Sequence, residues 1–433
     1  MTVKNLLSVR KMEPSSRPSR NATSWLSKCI VDEKGRIIPN VANVALVMRN
    51  APELVGLLRY DEMMQATYVC RPIPIYDGPM SNDPHWKRHP LSDVDLTAIQ
   101  EWLQFSGMRR VGRDTVYDAA QRVARKLAFH PVRDYLNQLI WDGRDRLSSW
   151  LSYYCGAEQS DYAAQVGRLF MISMVARIFQ PGCKSDYMLI LEGQQGISKS
   201  TVCKILGGEW FSDCLPDVAN GGKDLLMHLS GKWLIEIGEL SAMSKADSNK
   251  LKEFITRESE VYRRPYDRLE TEQKRQCVFI GTTNKSTYLR DETGARRFWP
   301  VTTTSIDTDA LKADRDQLFA QATAEYHRDK KWWPDSDFER ERIAPRQEAR
   351  YDADVWEDLI VSHCKTIGKA MIWEIARDAL RLDVAKITRA DQNRIAAILE
   401  RIGWVRLSKD SKGNRYWAPD STAALKRSGP DSY

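Results

Sequence analysis

The eight cysteines of this 433-residue chain, at positions 29, 70, 155, 183, 203, 214, 277 and 364, include no C-x-x-C pair. Zinc-ribbon and thioredoxin-like readings therefore have nothing to build on. No run of about 18 consecutive apolar residues occurs, which excludes an ordinary membrane-spanning helix and a membrane partner. The first 22 residues carry charges and no continuous apolar stretch, so they do not read as a secretory signal. Scattered thiols then fit a reducing compartment, and the expectation is a soluble cytoplasmic protein. A large excess of one charge is missing too. Lys and Arg number 65 against 58 Asp and Glu, giving +7 and a pI near 8.8. That balance permits a polyanionic partner without demanding one. Long repeats and low-complexity tracts are also absent. What is present is 42% hydrophobic residues, enough for an ordinary core, and length for two or three domains of roughly 100–200 residues.

Residues 1–22, with Pro14, Ser15, Ser16, Pro18 and Ser19, read as a flexible polar tail. Residues 23–155 read as a mostly helical domain. Asn43–Met48 and Leu54–Leu58 carry apolar residues at helical spacing. Ser92 and Asp95 form a capping-box pattern opening a helix through Phe105. Asp114–Ala128 places Val116, Ala119, Ala120, Val123 and Leu127 on one face. Prolines between Arg71 and Pro90 mark a linker or long loop. From Asp161 the character changes. A helix through Arg177 precedes three short apolar runs, Tyr187–Leu191, Lys232–Ile237 and Cys277–Gly281, separated by helical stretches. That alternation predicts an α/β unit with a central sheet over 156–345.

Gly193-Gln194-Gln195-Gly196-Ile197-Ser198-Lys199-Ser200-Thr201 follows the first of these strands and opens a helix, as a Walker A phosphate loop requires. Backbone N–H groups and a helix N-terminus receive phosphates there. Lys199 would reach the β- and γ-phosphates of ATP, and Ser200 would offer a hydroxyl to Mg²⁺. Ser198 stands where the usual pattern has glycine, so its side chain is expected to crowd the loop. Glu236 and Glu239 end the second strand. Glu239 is expected to be the main catalytic acid and Glu236 its neighbour on the Mg²⁺ side. Asn284, closing the third strand, suits a γ-phosphate sensor. Arg296 and Arg297, before an aromatic strand, suit an arginine finger acting on a neighbouring subunit's nucleotide, with a surface salt bridge as the alternative.

Together, His130–Leu136, Trp141–Arg144, Pro181–Tyr187, the phosphate loop, Gly231–Glu239, Phe279–Asn284 and Thr293–Pro300 resemble the virulence-associated protein E family of phages and prophages. That family is similar to superfamily-3 helicases and poxvirus-type primase-helicases. The likeness spans roughly residues 125–330, and Ser198 is its clearest departure. It implies an AAA+-like, superfamily-3 P-loop NTPase core that forms a ring, most often a hexamer, and tracks along single-stranded or forked DNA in phage-type replication. A primase or other replication proteins are the implied partners. It also implies a channel hairpin at Glu260–Thr271, with Lys252, Arg263, Arg264, Tyr266 and Arg268 facing DNA; a solvated charged loop is the alternative. Upstream there is no paired-carboxylate polymerase motif, so no primase activity is expected.

Residues 350–433 read as a winged-helix-like domain. Three helices, Val355–Cys364, Ala370–Leu380 and Thr388–Ile402, precede two strands, Trp404–Ser408 and Asn414–Trp417. Its third helix would present Arg389, Gln392 and Asn393 to a major groove, and its wing Lys409, Lys412 and Arg415 to phosphates. Three functions compete: a DNA-stimulated helicase or translocase, a DNA-binding initiator or helicase loader using ATP as a slow switch, and a small-molecule kinase. The asparagine, the tandem arginines and the basic C-terminus disfavour the last.

Overall fold

A computed structural model describes residues 25–74, 84–215, 218, 222–240, 245–263, 270–289, 295–411 and 413–420. The expected tail at 1–22 lies outside them. Among the described residues no helix is long and apolar enough to cross a membrane.

The N-terminal part is not purely helical. Helix α1 (Val41–Asn50) forms where its apolar spacing predicts, capped by Asn40 Oδ1, which accepts from the Asn43 N–H at 2.9 Å. The Leu54–Leu58 stretch, however, is a turn feeding β1 (Leu58–Asp61), which pairs antiparallel with β2 (Ala66–Val69). β2 pairs in turn with β3 (His89–Pro90) inside the expected linker. Leu54, Leu57 and Leu58 are buried by packing against α1, α2 (Asp93–Phe105) and α3 (Arg113–Lys126), so tertiary contacts rather than helical periodicity claim them. The Ser92–Asp95 capping box is present in both directions. Two short helices, α4 (Pro131–Gln138) and α5 (Trp150–Cys155), lead to α6 (Asp161–Phe179).

Beyond α6 lies a mixed α/β unit around a five-stranded parallel sheet. In chain order its elements are β4 (Met188–Glu192), α7 (Lys199–Gly207), β5 (Phe211–Ser212), α8 (Gly222–His228), β6 (Leu234–Ile237) and α9 (Lys245–Ile255). A hairpin of β7 (Ser259–Tyr262) and β8 (Thr271–Lys274) follows, then β9 (Val278–Thr283), β10 (Phe298–Thr302) and α10 (Thr308–His327). The sheet order is β10-β4-β9-β6-β5. β4 is buried along its whole length, which is why it reads as an unbroken apolar run. Leu189 and Leu191 join the cluster formed with α6, α7 and α10, whereas Met188 and Ile190 join the one with α8 and α9. α6 is buried on nearly every side, and a Cβ at its Gly167 would lie 2.6 Å from Trp150 Nε1. Glycine therefore permits that helix approach.

The chain leaves β4 for the far edge at β5, returns through β6 and β9, and places β10 on β4's other side. The carboxyl end of β4 is thus the point where the winding reverses, the crevice where open α/β sheets hold ligands.

Residues 357–420 form a separate small core. Helices Glu357–Cys364, Ile372–Asp378 and Arg389–Arg401 pack with Trp404 and Trp417 from an antiparallel strand pair, Trp404–Arg406 and Trp417–Pro419. Thr388 caps the third helix through a complete capping box with Asp391.

Candidate functional site

The loop from β4 to α7 curls tightly. Gly193 has φ 154°, and a Cβ there would sit 2.5 Å from the Thr303 carbonyl oxygen and 2.7 Å from Ile197 Cδ1, so only glycine fits. Gly196 has φ 88°. Ser198 has φ 72° and ψ 26°, a left-handed conformation that glycine adopts without strain. α7 begins at the next residue, and Lys199, Ser200 and Thr201 of its first turn line the crevice.

Lys199 Nζ donates to the Gly193 carbonyl at 2.8 Å, the Gln194 carbonyl at 2.7 Å and Asn284 Oδ1 at 2.8 Å. Burial pushes its pKa below the ordinary lysine value, opposed by the charge of Glu236. Glu236, 4% exposed, accepts on Oε1 from Ser200 Oγ at 2.6 Å and Thr282 Oγ1 at 2.7 Å. Its Oε2 is buried with no hydrogen-bond partner among the described residues. Glu239, just past the strand, is exposed at φ 50°. Gln195, Gly196, Ser198, Lys199, Ser200 and Thr201 line one side of a cavity of about 770 Å³; Glu236, Glu239, Thr282 and Asn284 line the other. That volume lies within the roughly 300–1,000 Å³ typical of ligand sites.

The sequence reading missed two participants. Asp213 lines the same cavity at the end of β5, a strand only two residues long that carries no periodic signal. Thr282 positions Glu236, and only its place across the sheet reveals that.

Other expected site residues lie elsewhere. Arg296 is exposed and Arg297 half-buried in a 3₁₀ turn, Ala295–Arg297, leading into edge strand β10; neither lines this cavity. Arg297 Nε is buried without a hydrogen-bond partner among the described residues. Lys252 requires a correction. It is 5% exposed, with Nζ 5.9 Å from the Phe298 ring centroid, so α9 packs it inward and it does not face DNA. Arg263 is exposed where β7 ends, whereas Arg264, Tyr266 and Arg268 lie outside the described residues. In the C-terminal unit Arg389, Asn393, Lys409 and Arg415 are exposed and Gln392 is half-buried; Lys412 lies outside the described residues.

Comparison with curated proteins returned no match. Solved structures of the C-terminal region of NrS-1 are similar at 14% identity. One covers 84% of this chain and 96% of its own with a TM-score of 0.42; another covers 86% and 89% with a TM-score of 0.40. A family model for the virulence-associated protein E-like domain matches residues 136–352, a span holding every strand of the parallel sheet and every residue around the cavity. The chain therefore belongs to the virulence-associated protein E-like domain family.

Proposed function

We propose that the chain is a P-loop ATPase of superfamily-3 type. In this reading it assembles as a hexameric ring that unwinds or translocates on single-stranded or forked DNA during phage-type replication in a bacterial host. The observation that carries the reading is the convergence of Lys199, Ser200, Glu236 and Asn284, from the ends of three adjacent strands, on one cavity.

A triphosphate suits this cavity because the loop and the first turn of α7 supply N–H donors and a favourable dipole. Lys199 exchanges its two loop carbonyls for phosphate oxygens, and Asn284 keeps the ammonium aimed. The donor set also fits Mg²⁺, since an orphaned buried carboxylate oxygen on Glu236 lies beside the Ser200 hydroxyl, with Glu239 nearby. When bound, the ion neutralises charge on the phosphates. Glu236 holds the metal side, while Glu239, free in solvent, orients the attacking water and accepts its proton. Arg296 and Arg297 extend to the nucleotide of a neighbouring subunit. The β7–β8 hairpin and a winged-helix-like C-terminal unit serve as DNA contacts, the latter through Arg389, Gln392, Lys409, Lys412 and Arg415.

One observation favours a second reading, an initiator or loader that uses ATP as a slow switch: Ser198 holds a strained conformation in the phosphate loop itself. Hydrolysis of ATP with and without single-stranded DNA, in wild type and Lys199→Ala, separates the two. The motor predicts DNA-stimulated turnover that the substitution abolishes. Nucleotide binding without hydrolysis in either protein transfers the assignment to the switch, and phosphate transfer to a metabolite would mark a kinase.

A further inference from the structure

We propose that the outer face and edge of the small N-terminal sheet form a further docking surface for single-stranded DNA, remote in sequence from the hairpin and the C-terminal unit. The proposal rests on the DNA reading above.

Strand alternation sets the face. Leu58, Thr67 and Val69 are buried, which leaves Arg59 and its cross-strand partner Tyr68 on the opposite side. The segment after α3 extends this sheet. The Phe129 N–H donates to the Tyr60 carbonyl at 2.9 Å, and the Glu62 N–H donates to the Phe129 carbonyl at 2.9 Å. Three exposed arginines lie along this edge, Arg59 and Arg88 at Phe129 and Arg125 at Tyr60, whose ring is on the core side of the strand. The guanidinium carbons of Arg59 and Arg88 lie 4.6 and 5.4 Å from the Phe129 ring centroid, and that of Arg125 lies 5.0 Å from that of Tyr60.

The neighbouring acids are largely committed to other partners, although the Asp61 charge also feels Arg88. Buried Asp61 accepts from the Met63 and Met64 N–H groups at 2.8 and 3.0 Å, and Glu62 pairs with Arg133 at 3.0 Å. Among the described residues, none of the three arginines has a carboxylate partner within 4.0 Å. Arg59 Nε donates to the Leu127 carbonyl at 3.4 Å. Apart from that bond, three like charges held at rings rather than paired with acids raise the local potential, partly offset by Asp61, and leave N–H groups to meet an anion. Exposed Arg122 and Lys126, on the last turns of α3, add to the field. A duplex would use only the charges. A single strand uses both properties, because guanidinium planes and the half-buried Tyr68 ring offer stacking surfaces to unpaired bases.

The test measures binding of a fluorescein-labelled oligothymidylate to the full chain by anisotropy over a salt series. Arg59→Ala/Arg88→Ala/Arg125→Ala is expected to weaken binding at least tenfold and to make the log–log salt slope shallower by about 2, given roughly 0.7 per phosphate contact on single strands. The matching triple lysine protein is expected to keep the slope and lose part of the affinity, because it retains charge without the planar group. DNA-independent ATP hydrolysis should be unchanged in both, which also reports that they fold. Wild-type affinity and slope in the triple alanine protein would overturn this surface while leaving the DNA reading intact. Absence of oligonucleotide binding by wild type would overturn both. Ultraviolet crosslinks from a 4-thiothymidine oligonucleotide should fall on peptides containing residues 58–70 or 84–90, and crosslinks confined to the hairpin or the C-terminal unit would refute the surface independently.

Discussion

Replacing Ser198 by glycine isolates the backbone cost of the loop between β4 and α7. At φ 72° and ψ 26° the serine Cβ is crowded against the neighbouring backbone, which costs roughly 1–2 kcal/mol for an L-residue. Glycine removes that strain but gives the unfolded chain more freedom, an opposing term of roughly 0.5–1 kcal/mol. The net expectation is stabilisation by about 0.5–1 kcal/mol. At roughly 2–4 °C per kcal/mol for a unit of this size, the melting temperature rises by about 1–4 °C. Ser198→Ala is the control, because it discards the hydroxyl and keeps the strained Cβ, so no rise is expected. Circular-dichroism melts of the three proteins, without nucleotide, read the comparison. A glycine variant that melts at or below wild type, or an alanine variant that rises equally, would refute the strain argument. Ser198 also lines the cavity, so the glycine variant should bind a non-hydrolysable ATP analogue more tightly. Weaker binding would mean that the hydroxyl itself holds the nucleotide.

Two further outcomes follow from the geometry. Glu236→Gln should lower Mg²⁺-dependent ATP hydrolysis by about 10²-fold or more and weaken metal-nucleotide binding, whereas Glu239→Gln should lower turnover and leave binding intact; wild-type turnover in the former would remove Glu236 from the site. His130 is buried, its Nδ1 accepting from the Arg133 N–H at 3.1 Å, so Nε2 carries the proton donated to Gln276 Oε1 at 2.7 Å. Burial depresses its pKa below the ordinary 6.5. Its contribution to stability is thus complete above about pH 6.5 and is lost as the pH falls through the depressed value. Urea titrations at stepped pH should show that loss, and His130→Asn, which keeps a capping side chain, should flatten it; an unchanged slope would exclude His130 as the titrating group.

Elements whose signals are local were legible. The capping box at Ser92, the apolar run of β4 and the glycines of the loop each depend on residues a few positions apart. What escaped depends on partners far along the chain. The pattern Leu58-Arg-Tyr-Asp61 becomes a strand only because Ala66–Val69 and Phe129 supply hydrogen bonds to it. Lys252 is cationic in sequence, yet the Phe298 ring beneath it is set by the packing of α9 on the sheet. The acids at 236 and 239 were found together. Their contrast, one buried beneath two hydroxyls and the other in solvent, comes from strand pleat and from the neighbour Thr282 in β9.

The last residue of β4 determines where this chain tolerates being cut. Glu192, immediately before the loop to α7, accepts from Tyr288 Oη at 2.7 Å, Thr302 Oγ1 at 3.0 Å and the Arg350 guanidinium at 2.8 Å. The Arg350 carbonyl in turn accepts from the Tyr288 and Leu289 N–H groups at 3.0 Å. Arg350 therefore acts as a latch thrown across the sheet from beyond its last helix. Proteolysis or truncation upstream of it strands a buried carboxylate at the root of the loop, a loss on the order of 3–5 kcal/mol. The α/β unit accordingly extends through residue 350, and a fragment ending at 345 forfeits its own closure.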